Sequence, residues 1–169
     1  MTAYDDTVRG PVPTTAEVWA DINRTPQQPL KVVRLHPDAV IPGYATAGSA
    51  CFDLHTIWDG VVPGLQSLEF DTGLAFGIPD GHVMLIFSRS GLGFRRGIRL
   101  SNSVAVIDSD YTGCVMLKLH NDSNRDYLVK KGDRIAQAML VPIPRVQMIE
   151  VDALGATERG VNGFGSTGE

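Results

Sequence analysis

The sequence predicts an all-β domain, and three observations carry the prediction. Short apolar runs of β-patterned residues recur along the chain, and glycine (18 residues) and proline (10) fall mostly between them. The chain has 169 residues, 43% of them hydrophobic and 20% charged, enough for one domain with a proper core and far from a disordered composition.

Charge and cysteine usage narrow the function classes. A net charge of −4 argues against a nucleic-acid-binding surface, because non-specific affinity for phosphodiester backbones needs a surplus of Lys and Arg. A small phosphorylated ligand needs only a local cluster, and Arg89, Arg95, Arg96 and Arg99 supply one. Cys51 and Cys114 are isolated, and His36, His55, His82 and His120 are scattered, so neither a zinc site nor a disulfide framework is indicated. No apolar run approaches the roughly 20 residues needed to cross a bilayer, and the amino terminus lacks the order of a signal peptide. A cytoplasmic protein without membrane attachment is expected.

Residues 1–29 read as an extension, with four prolines (Pro11, Pro13, Pro26, Pro29) and little apolar content. Thr14 and Glu17 form a capping-box pair ahead of Val18, Trp19 and Ile22, which predicts a short helix over 15–24. Strand signals begin at Leu30–Leu35 and resume at Ala47–Leu54, where small residues lead to Asp53. Gln66–Thr72 and His82–Phe87 are β-patterned and separated by the turn cluster Gly77, Pro79, Asp80 and Gly81. The segment Ser88–Gly97 breaks the pattern. Its Ser90 and Gly91 permit close backbone approach and Arg89 offers a charged fork, so it is suited either to cradling phosphate or to being a solvated basic turn.

Asn102–Asn121 places two apolar runs, Val104–Ile107 and Val115–Leu119, around a polar centre, which predicts a β-hairpin carrying Asp108 at the end of its first strand and Tyr111 nearby as a wall. Asp108, Asp110, Thr112 and Gly113 also match the first, third, fifth and sixth positions of an EF-hand loop. That match fails at the twelfth, where Leu119 replaces the bidentate glutamate, and the flanks are strand-like. Tyr127–Val129, Arg134–Pro142 and Val146–Val151 read as later strands. Gln137, in an apolar run, must bond either backbone or ligand. The tail from Arg159 to Glu169 contains Gly163, Gly165 and Gly168 in a Gly-x-Gly-x-x-Gly order, but no helix follows, so it is no dinucleotide fingerprint. Its glycines with Arg159 and Phe164 describe either an arm able to close over a ligand or a frayed terminus.

Five motifs in order resemble the trimeric dUTP pyrophosphatase (dUTPase) family: Ala47-Gly-Ser-Ala-Cys-Phe-Asp-Leu54, Arg89-Ser-Gly-Leu92, Asn102 with Val106-Ile-Asp-Ser-Asp-Tyr-Thr-Gly113, Gly132-Asp-Arg-Ile-Ala-Gln137, and Arg159-Gly-Val-Asn-Gly-Phe-Gly-Ser-Thr-Gly168. The resemblance runs from about Leu30 to the last residue. It implies a jelly-roll or distorted β-barrel domain over 30–155, a glycine-rich carboxyl-terminal arm over 156–169, and a homotrimer with sites between subunits. It also implies Mg²⁺-dependent hydrolysis of dUTP to dUMP and pyrophosphate.

On that pattern Asp108 would be the general base. Asn102, Val106, Ile107 and Met116 would belong to the uracil slot, with hairpin backbone reading the base edge, and Tyr111 would lie under the deoxyribose. Arg89, Ser90, Gly91 and Gln137 would hold the phosphates, Arg159 would meet the terminal phosphate, and Phe164 with Gly165 would cover the base. Mg²⁺ would be chelated mainly by the triphosphate, with Asp53 contributing through water. Four positions depart from the family pattern: Cys51, Ser88, Ala105 and Asn162, of which Ala105 is expected to matter most, as a methyl group narrowing the slot. The same fold also serves dCTP deaminases, which lack this tail, and the same pocket would suit a dUTP sensor.

Overall fold

The computed structural model describes Thr14 and residues 29–162. The helix expected over 15–24, Phe164 and Gly165 lie outside the described residues. Eleven strands and one helix are present among the described residues: β1 (Lys31–Arg34), β2 (Phe52–His55), β3 (Gly60–Val62), β4 (Ser67–Asp71), β5 (Leu74–Gly77), β6 (His82–Phe87), α1 (Ser90–Arg96), β7 (Ile98–Leu100), β8 (Val104–Ile107), β9 (Met116–Asn121), β10 (Tyr127–Val129) and β11 (Arg134–Pro142). Every pairing is antiparallel. The all-β expectation therefore holds.

Two sheets make the body, one ordered β2-β11-β6-β8 and the other β4-β9-β7, with β1-β5 and β10-β3 as smaller two-stranded sheets. Inward residues of both large sheets share one core: Leu54, Met84, Ile86, Ala136 and Ala138 from the first, Phe70, Ile98, Leu100, Leu117 and Leu119 from the second. The packing is that of a sandwich, in which alternate residues of each strand face the other layer. β9 shows the rule plainly, burying Leu117, Leu119 and Asn121 while Met116 and Lys118 face outward.

Three expectations are corrected. The Asn102–Asn121 stretch does not pair with itself: β8 pairs with β6, while β9 pairs with β4 and β7. The connecting residues 108–115 exceed the two to five residues of an ordinary hairpin loop, and they carry the chain from one layer to the other. Val146–Val151 is not a strand, and its Val146, Met148 and Ile149 are 70%, 87% and 73% exposed. An apolar run with no neighbouring strand cannot form a ladder. Finally, Ser90–Arg96 is helical, a state concealed by the poor helix formers Ser90, Gly91 and Gly93. Its end is well specified: Gly97 adopts φ 67°, and its N–H reaches the Gly93 and Leu92 carbonyls. Arg95 and Arg96 occupy the last turn, where cations suit the helix dipole.

Candidate active site

A cavity of about 410 Å³ opens where β2, β11 and the start of α1 meet. Asp53, Arg89, Ser90, Gly91, Arg134 and Gln137 line it, with small residues of the 45–51 segment and Cys51 completing the wall. Asp53 is its electrostatic centre. Its Oδ1 accepts from Arg89 Nε at 2.8 Å and its Oδ2 from Arg134 Nη1 at 3.1 Å, while Arg89 Nη1 donates to the Arg134 carbonyl at 3.1 Å. One carboxylate thus holds two guanidinium groups in place and leaves the cluster with a net positive charge. Next to it stand Ser90 and Gly91, whose N–H groups begin the helix and have no intrahelical acceptor. A cationic hollow with fixed donors is suited to an anion.

Arg134 was not singled out by sequence reasoning, although it stands inside the motif that contributed Gln137. In regular alternation residues 134 and 137 face opposite sides of a strand. The pairing of β11 with β2 shifts between Arg134 and Ala136, so that Ile135 and Ala136 are buried in succession and both Arg134 and Gln137 line the cavity. A β-bulge re-aims side chains in this way. Gln137 itself donates from Nε2 to the Ser88 carbonyl at 3.1 Å, so its first partner is backbone. The hydroxyl of Ser88 accepts the Leu100 N–H at 2.8 Å, which ties the residue ahead of Arg89 to β7.

His55, opposite Arg134 in the β2–β11 pair, has a buried Nδ1 with no hydrogen-bond partner. Burial holds its imidazole below the usual histidine range; Asp53 opposes this, and Arg134 and Arg89 add to it. The thiol of Cys51 is pushed up, by burial and then by Asp53, so it is a neutral wall of the cavity rather than a nucleophile.

The residues expected around the base lie elsewhere. Asn102 precedes β8, Val106 and Ile107 are on it, Asp108 follows it, and Met116 begins β9. None of these, nor Tyr111, lines the cationic cavity. Val106, Tyr111 and Met116 are 59%, 45% and 47% exposed. Ile107 pairs with Met84, near the start of β6, whereas Arg89 follows the end of β6. Asp108 and Arg89 are therefore separated by about six residues of extended chain, on the order of 20 Å along the strand direction. A single copy does not bring these two groups together.

Ala105 does not narrow any slot. It is 8% exposed, belongs to the core and pairs with Ile86, while Val104 and Val106 point out. Arg159, in an exposed turn, donates from Nε to the Asn162 carbonyl at 3.0 Å, and it too lies outside the cavity.

Strands β8 and β9 flank the Asp108 segment where an EF-hand loop needs helices, so the EF-hand pattern fails on its flanks. Both Asp53 oxygens already bond arginine, so the donor set suits a cation only at second hand, through water.

The sequence model of the dUTPase family matches residues 38–168. Among similar proteins, the deoxyuridine 5'-triphosphate nucleotidohydrolase of Nautilia profundicola is 47% identical over 141 residues, covering 83% of this chain and 99% of the relative. That of Helicobacter hepaticus is 41% identical, covering 82% and 88% respectively. Of solved structures, the Staphylococcus bacteriophage 80alpha dUTPase with dUPNHPP superposes with a TM-score of 0.79 at 26% identity, covering 85% of this chain and all of that one. With the family model spanning strands β2 to β11, the cationic cavity and the Asp108 segment alike, the chain belongs to the dUTPase family.

Proposed function

We propose that the protein is a dUTP diphosphatase, hydrolysing dUTP to dUMP and pyrophosphate, in active sites assembled between copies of the chain. The observation that carries the proposal is the cationic cavity, in which Asp53 holds Arg89 and Arg134 beside the free N–H groups at the start of α1. Such a set binds a polyphosphate and stabilises the negative charge of a departing pyrophosphate. The separation of Arg89 from Asp108 then requires a second copy, because the phosphates and the attacking water sit within a few ångströms of each other. A homotrimer with three shared sites meets this requirement, and the exposed apolar side chains of Val146, Met148, Ile149, Val151 and Leu154 suit burial against a neighbour.

In the assembled site Asp108 orients and deprotonates a water for in-line attack at the α-phosphorus. Arg89, Arg134, Ser90 and Gly91 take the phosphates, and Gln137 braces the Ser88 backbone that carries them while lining the same cavity. Asn102 with the Val106–Ile107 backbone and Met116 forms the uracil slot. Cytosine presents a donor where uracil presents an acceptor, and the mispaired buried groups would cost roughly 1–3 kcal/mol. The Tyr111 ring lies under the deoxyribose and rejects a 2′-hydroxyl. Arg159, Phe164 and Gly165 of the 156–169 arm close the site. A Mg²⁺ ion bound to the triphosphate would supply charge neutralisation, and Asp53 would contribute to holding it only through water. The protein works in the cytoplasm, limiting dUTP and supplying dUMP.

Incubation with dUTP, dCTP or UTP and Mg²⁺ tests this reading. Pyrophosphate release from dUTP alone is the expected result. Ammonia release from dCTP would overturn it, and tight dUTP binding without turnover would indicate a sensor.

A further inference from the structure

Tyr111 is held by its own turn in an unusual way. Its hydroxyl donates to the Cys114 carbonyl at 2.8 Å, which folds the ring back over Gly113. A Cβ at Gly113 would stand 2.7 Å from the Tyr111 hydroxyl oxygen and 2.8 Å from Cζ, so only glycine leaves room for the ring in this position. Cys114, which anchors the ring through its carbonyl, is itself anchored through its side chain. Its Sγ lies 2.8 Å from Asp71 Oδ1, and the same oxygen accepts the Gly73 N–H.

The contacts continue into the fold. Thr72, fully buried, donates from Oγ1 to the Val115 carbonyl at 2.9 Å and accepts the Leu74 N–H at 3.2 Å. Val115 N–H in turn donates to the Leu74 carbonyl at 2.9 Å. The Tyr111 turn is thereby bolted to the β4–β5 corner, and Gly73, at φ 65°, gives that corner its shape. The thiol stays a donor at neutral pH: burial, and then Asp71, push it up to about 11.

We propose that Cys114 is a positioning residue for sugar selectivity: its thiol–Asp71 bond fixes the carbonyl that holds the Tyr111 ring, and the ring's fixed position over Gly113 excludes a ribonucleotide. The inference rests on the reading of Tyr111 as the surface under the deoxyribose. It adds that the selectivity is maintained from the β4–β5 corner, which touches no substrate. A ring free to tilt would admit a 2′-hydroxyl that a fixed ring rejects.

The test measures kcat/KM for dUTP and for UTP in the full-length protein and compares their ratio. Cys114→Ala, which removes the thiol donor, and Asp71→Asn, which removes the charge of its acceptor, are expected to lower the dUTP preference about 3–10-fold, the scale of one ordinary intramolecular hydrogen bond. Cys114→Ser keeps a donor and retains most of the preference, which a merely structural loss would not restore selectively. Tyr111→Ala is expected to lower the preference further. An unchanged ratio in both Cys114→Ala and Asp71→Asn, with Tyr111→Ala reduced, would overturn the inference and leave the Tyr111 reading standing. An unchanged ratio in Tyr111→Ala would overturn both. If Cys114→Ala does not fold, Tyr111→Phe removes only the bond to the Cys114 carbonyl; its preference falls on this inference, and a wild-type ratio refutes it.

Discussion

Replacing Ala105 with glycine separates two accounts of the position that departs most suggestively from the family pattern. If the Ala105 methyl lined the uracil slot, removing it would widen the slot and change turnover. The structure places the methyl in the core against the β6 strand, with Val104 and Val106 on the outward face. Removing it should therefore act on stability. One buried methyl contributes about 0.8 kcal/mol. Glycine in a strand interior adds about 0.5–1 kcal/mol of backbone entropy cost. The expected loss is about 1.5 kcal/mol, which for a chain of this length lowers Tm by about 3–6 °C at fixed protein concentration. Calorimetry paired with steady-state kinetics on dUTP reads both quantities. A fall in Tm with kcat and KM unchanged supports the core placement. Altered kinetics with no change in Tm would refute it.

Two further outcomes follow from the geometry. Asp108→Asn should lose turnover by about 10²–10⁴-fold, the usual share of a general base, and Arg89→Ala should be similarly impaired through phosphate binding. When the two inactive chains are unfolded, mixed and refolded together, activity should return, because a mixed oligomer contains sites with an intact Asp108 from one copy and an intact Arg89 from another; no recovery would contradict a shared site. His55 gives a pH signature. Its folded pKa lies below the unfolded value of about 6.5, so the unfolded chain binds more protons as pH falls, and this contribution is intact above that value and lost below it. The Tm of the wild type should drop more between pH 8 and pH 5.5 than that of His55→Gln, and equal drops in the two proteins would refute the assignment.

Strands that bury one face were legible in the chain, because a period of two is a local property. His82–Phe87 and Arg134–Pro142 appear where their patterns place them. Which strand pairs with which was not legible, since adjacent apolar runs suit a hairpin and a crossover between layers equally well. β8 and β9 took the second option, and with it Ala105 turned inward. The short strands β3, β5 and β7 carried too few residues to show a period.

The candidate site divides along the same line. Asp53, Arg89, Ser90, Gly91 and Gln137 are visible as residue types, yet the role of Asp53 as the clamp between two arginines depends on Arg134, which strict alternation turns away from Gln137. A single extra residue at Ile135 reverses that. A bulge has no signature in hydrophobic pattern beyond two buried residues in succession, and Ile135-Ala136 in an otherwise apolar strand hides even this. The consequence reaches the chemistry: without the bulge the cavity would hold one guanidinium neutralised by one carboxylate, and with it the cluster keeps the positive charge that a polyphosphate requires.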